Sequence, residues 1–217
     1  MDCGSKGIFQ KIISSDLFMD NQRKSTKSMS PGSMGRFEIC ILAGGLSSRM
    51  GRDKSRLRLG ERTLLAHIRA TAREIGLPYR IIRHDLVAPC GPMGGIYTAL
   101  VTTRADATLF LSCDMPFVSA GLLERLVHKA EHNETALFVE ANGRVGFPLI
   151  LFRRTALPVV ERQLEKRAFS IQPLAHGLRS QTIRLASWQA RELFNINTPY
   201  DLRKARALWH ERPPRKA

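Results

Sequence analysis

The amino-acid sequence predicts an α/β fold in which helices cover both faces of a mainly parallel β-sheet, that is, a three-layer α/β/α sandwich. From Arg36 onward, short apolar segments typical of buried strands alternate with segments that have the 3.6-residue period of helices. This alternation is typical of parallel sheets. The chain has 217 residues, of which 43% are hydrophobic, so it is long enough to bury the core of one such domain.

The first half of the domain contains three predicted strands and two predicted helices. Phe37–Ala43 is an apolar, isoleucine-containing run that ends at a glycine pair, which predicts a buried strand. Thr63–Ile75 has its leucines and isoleucines at helical spacing. Tyr79–Arg83 is predicted as a strand, Gly94–Thr103 as a helix after a Gly/Pro loop, and Ala107–Ser112 as another buried strand.

The second half begins with Ala120–His132, an amphipathic helix with leucines on one face. Thr135–Glu140 and Val145–Phe152 are predicted as paired strands because the Asn-Gly between them is a turn signal. The remaining predictions are a helix at Thr155–Lys166, short strands at Thr182–Leu185 and Leu193–Ile196, and a closing helix at Pro199–Trp209 with proline in its first turn.

The two ends of the chain are predicted to lie outside this domain, which is assigned to residues 36–210. Residues 1–35 are predicted to form a flexible tail because Ser, Lys, Gly and Asn dominate residues 21–35, and residues 211–217 form a short C-terminal tail. Met29 and Met34 leave a later translation start open. No apolar run is long enough to span a bilayer, and Ile8–Met19 contains charged residues, so a cytoplasmic location without a membrane partner is expected.

The net charge of +15 limits the kinds of ligand that the protein is expected to bind. It fits either a basic surface without a specific role or the attraction of a polyanionic substrate such as a triphosphate. Nucleic-acid binding is not expected, because the arginines are spread along the chain, only 7% of residues are aromatic and no nucleic-acid-binding motif is present. The cysteines form no CxxC pair, so they are interpreted as small buried residues rather than zinc ligands.

A glycine-rich loop follows the first predicted strand, where residues 42–54 read LAGGLSSRMGRDK. Its glycines let backbone N–H groups approach phosphate oxygens, and Arg49 and Lys54 add positive charge suited to a triphosphate. The loop is not a Walker A motif, because Gly45 and Gly51 are one residue too far apart, and it lacks the GxGxxG spacing of dinucleotide-binding loops.

The loop resembles the signature LAGGxSxRMGxDK of the molybdenum cofactor guanylyltransferases, the MobA-like nucleotidyltransferases, with every fixed position filled. The resemblance covers about residues 36–208 and includes the segments Gly91-Pro92-Met93-Gly94-Gly95, Cys113-Asp114-Met115-Pro116-Phe117 and Asn195-Ile196-Asn197-Thr198-Pro199-Tyr200-Asp201-Leu202. It implies a Rossmann-like domain that uses Mg²⁺ and transfers GMP from GTP to the phosphate of molybdopterin or of the molybdenum cofactor. It also implies molybdoenzyme maturation proteins as further partners.

Asp114 follows a predicted buried strand, and ligands of such sheets bind beyond the carboxyl ends of the strands. A carboxylate there suits Mg²⁺, which proteins hold through one or two carboxylates together with phosphates and water. The resemblance implies catalytic roles for Lys54, Asp114 and Arg49, with Asp114 as the metal ligand. It implies nucleotide contacts by Leu42, Ala43, Gly44, Gly45, Lys54, Asp85, Gly91, Gly94 and Asp114.

On the acceptor side, Asn195 and Asn197 flank Ile196 and share one side of the segment if it is extended. The resemblance places both asparagines near the active site, while a role for Asn197 as N-cap of the following helix is the alternative. Gly146-Phe147-Pro148 stands where the family has a short x-Pro segment near the acceptor pocket, so the resemblance places Pro148 on the acceptor side.

One departure from the family lies between the first helix and the strand at Tyr79, where only Gly76-Leu77-Pro78 intervenes. The family has a further strand there, with an asparagine that contacts the base. About fifteen to twenty residues are therefore missing, and an edge strand of the sheet is expected to be missing with them. This leaves open a cytidylyltransferase or a sugar-phosphate nucleotidyltransferase of the same fold, or a noncatalytic relative, although the retained Lys54 and Asp114 favour catalysis.

Overall fold

The computed structural model of the protein describes residues 36–44, 53–133, 136–141 and 143–211. The predicted N-terminal tail lies outside the described residues, and so does most of the predicted C-terminal tail. Gly45 and Arg49 of the glycine-rich loop also lie outside them. Within the described ranges, no helix combines the length and apolar character that a membrane span requires.

Six strands form the main sheet, and two very short strands form a separate hairpin. In chain order the strands are β1 (Phe37–Leu42), β2 (Arg58–Leu59), β3 (Arg62–Thr63), β4 (Tyr79–Ile82), β5 (Ala107–Ser112), β6 (Ala136–Ala141), β7 (Arg144–Phe152) and β8 (Ser180–Arg184). The spatial order of the main sheet is β4-β1-β5-β7-β6-β8, and β2 pairs with β3.

The main sheet is mainly parallel, as predicted. β1 pairs in parallel with β4 and with β5, and β6 pairs in parallel with β8. β7 runs antiparallel to both β5 and β6. Only two residues separate β6 from β7, and Ala141 at the end of β6 pairs with Arg144 at the start of β7, so the chain reverses between them. β4 forms one edge of the sheet, and none of the described residues adds a strand outside it, in agreement with the predicted loss of an edge strand.

Helices cover both faces of this sheet, which confirms the three-layer prediction. The helices are α1 (Leu64–Ile75), α2 (Pro92–Thr102), α3 (Ala120–Asn133), α4 (Arg153–Glu165), α5 (Ile171–Gly177) and α6 (Pro199–His210). Ile39 and Leu109 belong to an apolar cluster with α1 and α3, whereas their neighbours Cys40 and Phe110 belong to a cluster with α2, α4 and α5. Successive residues of the central strands are thus buried on opposite faces, as their continuous apolar sequences predict.

A third apolar cluster anchors the end of the chain. Leu59, Phe117, Ile196 and Ala205 are buried together, so the β2–β3 hairpin and α6 pack around the segment that follows β5. The Trp209 ring lies against His67 of α1, with ring centroids 4.6 Å apart. This packing holds the C-terminal segment beside the sheet end that carries the site.

The predicted strand at Leu193–Ile196 is wrong. Ser187–Leu193 forms a 3₁₀ helix, and the residues after it pair with no strand among the described residues. Instead, the Ile196 N–H donates to the Asp114 carbonyl oxygen at 2.9 Å. The β2–β3 hairpin, α5 and a 3₁₀ helix at Lys54–Arg56 were not predicted, because each is too short to show a period.

Candidate active site

A cleft of about 570 Å³ lies at the carboxyl ends of β1, β4 and β5. This is the edge of the sheet at which α/β proteins bind ligands, and the volume is typical of small-molecule sites. The residues of the sequence prediction that line it are Leu42, Ala43, Gly44, Lys54, Asp85, Gly91, Asp114 and Asn197.

Three of these side chains, Lys54, Asp114 and Asn197, meet in the cleft and are called the Lys54 cluster below. The Lys54 ammonium donates to Asn197 Oδ1 at 2.8 Å and to Asp114 Oδ2 at 3.4 Å. The other oxygen of Asp114 accepts a hydrogen bond from Ser112 Oγ at 2.5 Å. Asp114 is only 8% exposed, so its charge is held by these partners rather than by bulk water.

The β1–β5 pairing places Asp114 beside the glycine-rich loop. Leu42 and Ser112 are level in the register, and the Cys113 N–H donates to the Leu42 carbonyl oxygen at 3.1 Å. The two strands therefore end together, and the residues that follow them face the same cleft. The backbone bond from Ile196 to Asp114 then brings Asn197 to the same place.

A short 3₁₀ helix orients Lys54. Asp53 caps this helix, with its side chain accepting from the Ser55 N–H at 2.9 Å. The hydrogen bonding from Ser55 lowers the pKa of Asp53, and the positive charges of Arg56 and Arg83 lower it further. Asp53 thus stays ionised at neutral pH and fixes the turn from which Lys54 extends.

The first turn of α6 fixes Asn197. Thr198 is the N-cap, and its hydroxyl accepts from the Asp201 N–H at 3.1 Å. The Asp201 carboxylate accepts from the N–H groups of Thr198 and Asn197, at 2.8 and 3.0 Å. The alternative that Asn197 itself caps this helix is therefore wrong, and its side chain is available to the Lys54 cluster.

Asp85 also lines the cleft, where it is half-buried after β4 and packs against the first turn of α2. A Cβ atom at Gly94 would lie 2.4 Å from Asp85 Oδ2, so this position accepts only glycine without a shift. Burial raises the pKa of Asp85, and the charge of His84 partly opposes this. The missing side chain of Gly94 therefore leaves room for the Asp85 carboxyl group. Gly94 itself does not line the cleft.

Two predicted acceptor-side residues lie away from the Lys54 cluster. Asn195 is exposed and lines a second cavity, and Pro148 is buried in β7 and lines neither space. The segment that contains Asn195 and Asn197 pairs with no strand among the described residues, and the two side chains line different cavities. That the two asparagines share one side stays a prediction.

Ser112 lines the cleft but was not predicted as a site residue. It ends a buried strand two residues before Asp114, at the edge of the sheet where ligands bind, so its position in the sequence was sufficient to find it. Phe147 also lines the cleft, and it belongs to the segment Gly146-Phe147-Pro148 that the resemblance places near the acceptor pocket. Cys113 also lines the cleft, and burial raises its pKa to about 12, so its thiol stays protonated and is no nucleophile.

Residues 39–180 match the family model of the MobA-like NTP transferase domain. The chain is 32% identical over 178 residues to a probable molybdenum cofactor guanylyltransferase of Flavobacterium johnsoniae, covering 75% of this chain and 92% of that one. It is 32% identical over 200 residues to the molybdenum cofactor guanylyltransferase of Rhizobium leguminosarum, covering 82% and 96%.

Two solved structures share the fold at 21% sequence identity. Molybdopterin-guanine dinucleotide biosynthesis protein A from Archaeoglobus fulgidus superposes with a TM-score of 0.65 over 81% of this chain and 100% of that one. The 2-C-methyl-D-erythritol 4-phosphate cytidylyltransferase from Thermus thermophilus gives 0.60 over 81% and 98%. These likenesses confirm the predicted Rossmann-like architecture.

Proposed function

Because the chain belongs to the MobA-like NTP transferase family, we propose that it transfers GMP from GTP to the phosphate of molybdopterin or of the molybdenum cofactor, with release of pyrophosphate. The names of the relatives support this choice of substrates. The family resemblance adds a cytoplasmic location, and molybdoenzyme maturation proteins as partners that take the product.

The observation that carries the proposal is the Lys54 cluster at the end of the glycine-rich loop. A buried carboxylate, an ammonium group and an amide oxygen from three distant segments converge within hydrogen-bonding distance. A structural ion pair alone does not account for the position, because the cluster lines the cleft instead of the core. This placement suits groups that act on a bound polyphosphate.

The reaction needs little proton transfer by side chains. An anionic oxygen of the acceptor phosphate forms a bond to the α-phosphorus of GTP, while the bond from that phosphorus to the bridging oxygen breaks and its electron pair leaves with pyrophosphate. The Lys54 ammonium offsets the negative charge that grows on the phosphate oxygens. The backbone of Leu42–Gly44 positions the nucleotide, and the predicted role of Arg49 is a second positive charge on the triphosphate.

The donor atoms of the Lys54 cluster fit Mg²⁺. The Asp114 carboxylate and the Asn197 amide oxygen are hard oxygen ligands, and both already contact one cation, the Lys54 ammonium. Within the described part of the chain, no group of three or more His, Cys, Asp or Glu residues converges on a metal site, so phosphate and water oxygens would complete the ligand set. A bound Mg²⁺ would neutralise phosphate charge during the transfer.

The proposal is tested by incubating the protein with molybdopterin, Mg²⁺ and either GTP or CTP, and by measuring pyrophosphate together with the dinucleotide product. GTP is expected to give product only when both Mg²⁺ and molybdopterin are present. Product with CTP but not with GTP would identify a cytidylyltransferase. Thermal stabilisation by nucleotide without any turnover would identify a noncatalytic relative.

A further inference from the structure

A second cavity, of about 400 Å³, adjoins the nucleotide cleft. The two spaces share Pro92, Ser112 and Phe147 as walls, so they are contiguous. Ser112 marks the inner end of the second cavity, because its hydroxyl binds Asp114 of the Lys54 cluster. A ligand that fills the second cavity therefore reaches the reaction centre with one end.

The walls of the second cavity differ in chemistry from those of the cleft. Most of them are apolar side chains, namely Pro92, Met115, Val139, Phe147, Ile171 and Leu193. Its polar side chains are Ser112, Arg144 and Asn195. Within the part of the chain that the structure describes, no carboxylate pairs with the Arg144 guanidinium, which is exposed and free to bind a ligand.

Strand register shows how far Arg144 lies from the reaction centre. The pairing of β5 with β7 ends at Phe110 and Leu149. Ser112 and Phe147 lie just beyond this last pair, and both line the two cavities. Arg144 lies three residues before Phe147 on β7, which corresponds to about 10 Å along a strand. The guanidinium thus belongs to the outer end of the cavity.

We infer that Arg144 is the residue of this cavity that recognises the heterocycle of the acceptor, by donating hydrogen bonds to a ring carbonyl oxygen. This inference rests on the proposed function, because it concerns the acceptor of that reaction. The acceptor phosphate lies at the Ser112 end, the ring lies between the apolar walls, and the polar edge of the ring meets Arg144 and Asn195.

The chemistry of the two ends supports this orientation. A guanidinium has five N–H donors and no acceptor, so it pairs with carbonyl or anionic oxygens, whereas an asparagine amide both donates and accepts. Together they match a ring edge on which a carbonyl lies beside N–H groups, as in a pterin. A sugar or alditol phosphate has no apolar faces for these walls, and it leaves the polar groups at the outer end unpaired.

The test compares wild type with Arg144→Ala, using 6-hydroxymethylpterin phosphate, which has the ring and the phosphate but no sulfur, and erythritol phosphate, which has no ring. The dissociation constant of the pterin phosphate is measured from its own fluorescence. At saturating GTP, the KM and kcat for molybdopterin are measured as well. Arg154→Ala, which removes an exposed arginine from α4, is the matched control for the loss of one positive charge.

Arg144→Ala is expected to weaken binding of the pterin phosphate, and to raise the KM for molybdopterin, by about 10-fold or more, as for a lost hydrogen bond to a charged group. The KM for GTP, the binding of erythritol phosphate and the Arg154→Ala values are expected to stay unchanged. An equal loss for erythritol phosphate would show that Arg144 binds the phosphate and would overturn the inference. No wild-type binding of the pterin phosphate, or an unchanged constant in Arg144→Ala, would also overturn it.

Failure of the proposed function gives a different pattern. In that case molybdopterin and GTP give no product, while the fluorescence titration of the pterin phosphate still reports on the second cavity. A wild type that binds the pterin phosphate tightly and Arg144→Ala that binds it weakly would then support the ring-binding cavity without the guanylyl transfer.

Discussion

The nucleotide cleft and the second cavity share walls but are built in different ways. The cleft is polar, and its reactive groups come from segments with recognisable sequence motifs, held together by backbone hydrogen bonds between strand ends. The second cavity is largely apolar. It takes Pro92, Met115 and Asn195 from the motif segments, but Val139, Arg144 and Ile171 come from outside them. The comparison is consistent with our proposals, which assign the polar groups of the cleft to the transfer reaction and Arg144 to recognition of the acceptor.

The largest expected effect comes from Asp114→Asn, which removes the charge from the centre of the cleft. Turnover is expected to fall by about 10²–10³, as when other preorganised electrostatic groups are removed, and Lys54→Ala is expected to have a similar effect. The loss should be the same with every acceptor that reacts, because the proposed function assigns both groups to the transfer step. Pyrophosphate release from GTP measures the effect.

Asp106→Asn is the matched control for Asp114→Asn. Asp106 is exposed and directly precedes β5, the strand at whose other end Asp114 lies, so the same charge is removed from the opposite edge of the sheet. Its turnover is expected to equal that of wild type. Full pyrophosphate release in both Asp114→Asn and Lys54→Ala would contradict the assignment of the Lys54 cluster.

Most of the fold could be predicted because its central elements are either continuously apolar or clearly periodic. β1 and β5 are buried on both faces, and α1 and α3 each bury one apolar stripe. The exception at Leu193–Ile196 has a physical reason. Ile196 is fully buried with Leu59 and Phe117. Its side chain is apolar because it packs in the core from a loop, and not because it belongs to a paired strand.

The polar half of the site could also be predicted, because residues after parallel strands meet at one edge. Lys54, Asp114 and Asn197 were found in this way or through the family resemblance. The apolar half could be predicted only in part. The resemblance places Gly146-Phe147-Pro148 near the acceptor pocket, but Arg144 lies in none of the matched segments. Arg144 reaches the second cavity through the pairing of β7 in the sheet, which depends on contacts between segments that are far apart in sequence.

A smaller effect is expected from Gly44→Ala, which tests the cleft without touching the second cavity. A Cβ atom at position 44 would lie 2.5 Å from the Arg83 carbonyl oxygen, and because that atom is backbone, the loop or the end of β4 must move. The free energy of unfolding is expected to fall by about 1–3 kcal/mol, as for other overpacked positions, and the KM for GTP is expected to rise. Urea unfolding and steady-state kinetics measure these quantities.

Gly121→Ala is the control for Gly44→Ala. Apart from its chain neighbours and the backbone of α3 itself, no described atom lies within 4 Å of a Cβ atom at position 121. Alanine is the better helix former, so this variant is expected to be at least as stable as wild type. Binding of the pterin phosphate should be unchanged in both variants. A weaker pterin site in Gly44→Ala would show that the two cavities are not independent.

The smallest effect is expected in the first turn of α6, which serves both spaces, since Asn195 and Asn197 precede it. Thr198→Ala removes the N-cap hydroxyl and is expected to cost about 1 kcal/mol of unfolding free energy in urea titrations. Turnover should fall only modestly, because Asp201 still accepts from the Asn197 N–H. A loss as large as that of Asp114→Asn would mean that the cap, rather than the Lys54 cluster itself, limits the reaction.

The contribution of the Asp201 carboxyl group to the stability of this turn depends on pH, and it can be measured apart from the stability of the rest of the fold. Burial raises the pKa of Asp201, but hydrogen bonds from Thr198 and Asn197 and the charge of Lys54 outweigh it, so the pKa lies below its ordinary value. A carboxyl with a lowered folded-state pKa stabilises the protein above its unfolded-state pKa, and this contribution is lost as the pH falls through the folded-state value. Asp201→Asn should therefore be less stable than wild type at neutral pH, and the difference should shrink as the pH falls below the ordinary pKa of an aspartate. If the difference in stability did not shrink at low pH, the Asp201 side chain would stabilise the turn through its shape. Its carboxyl group is then largely protonated in both the folded and the unfolded state.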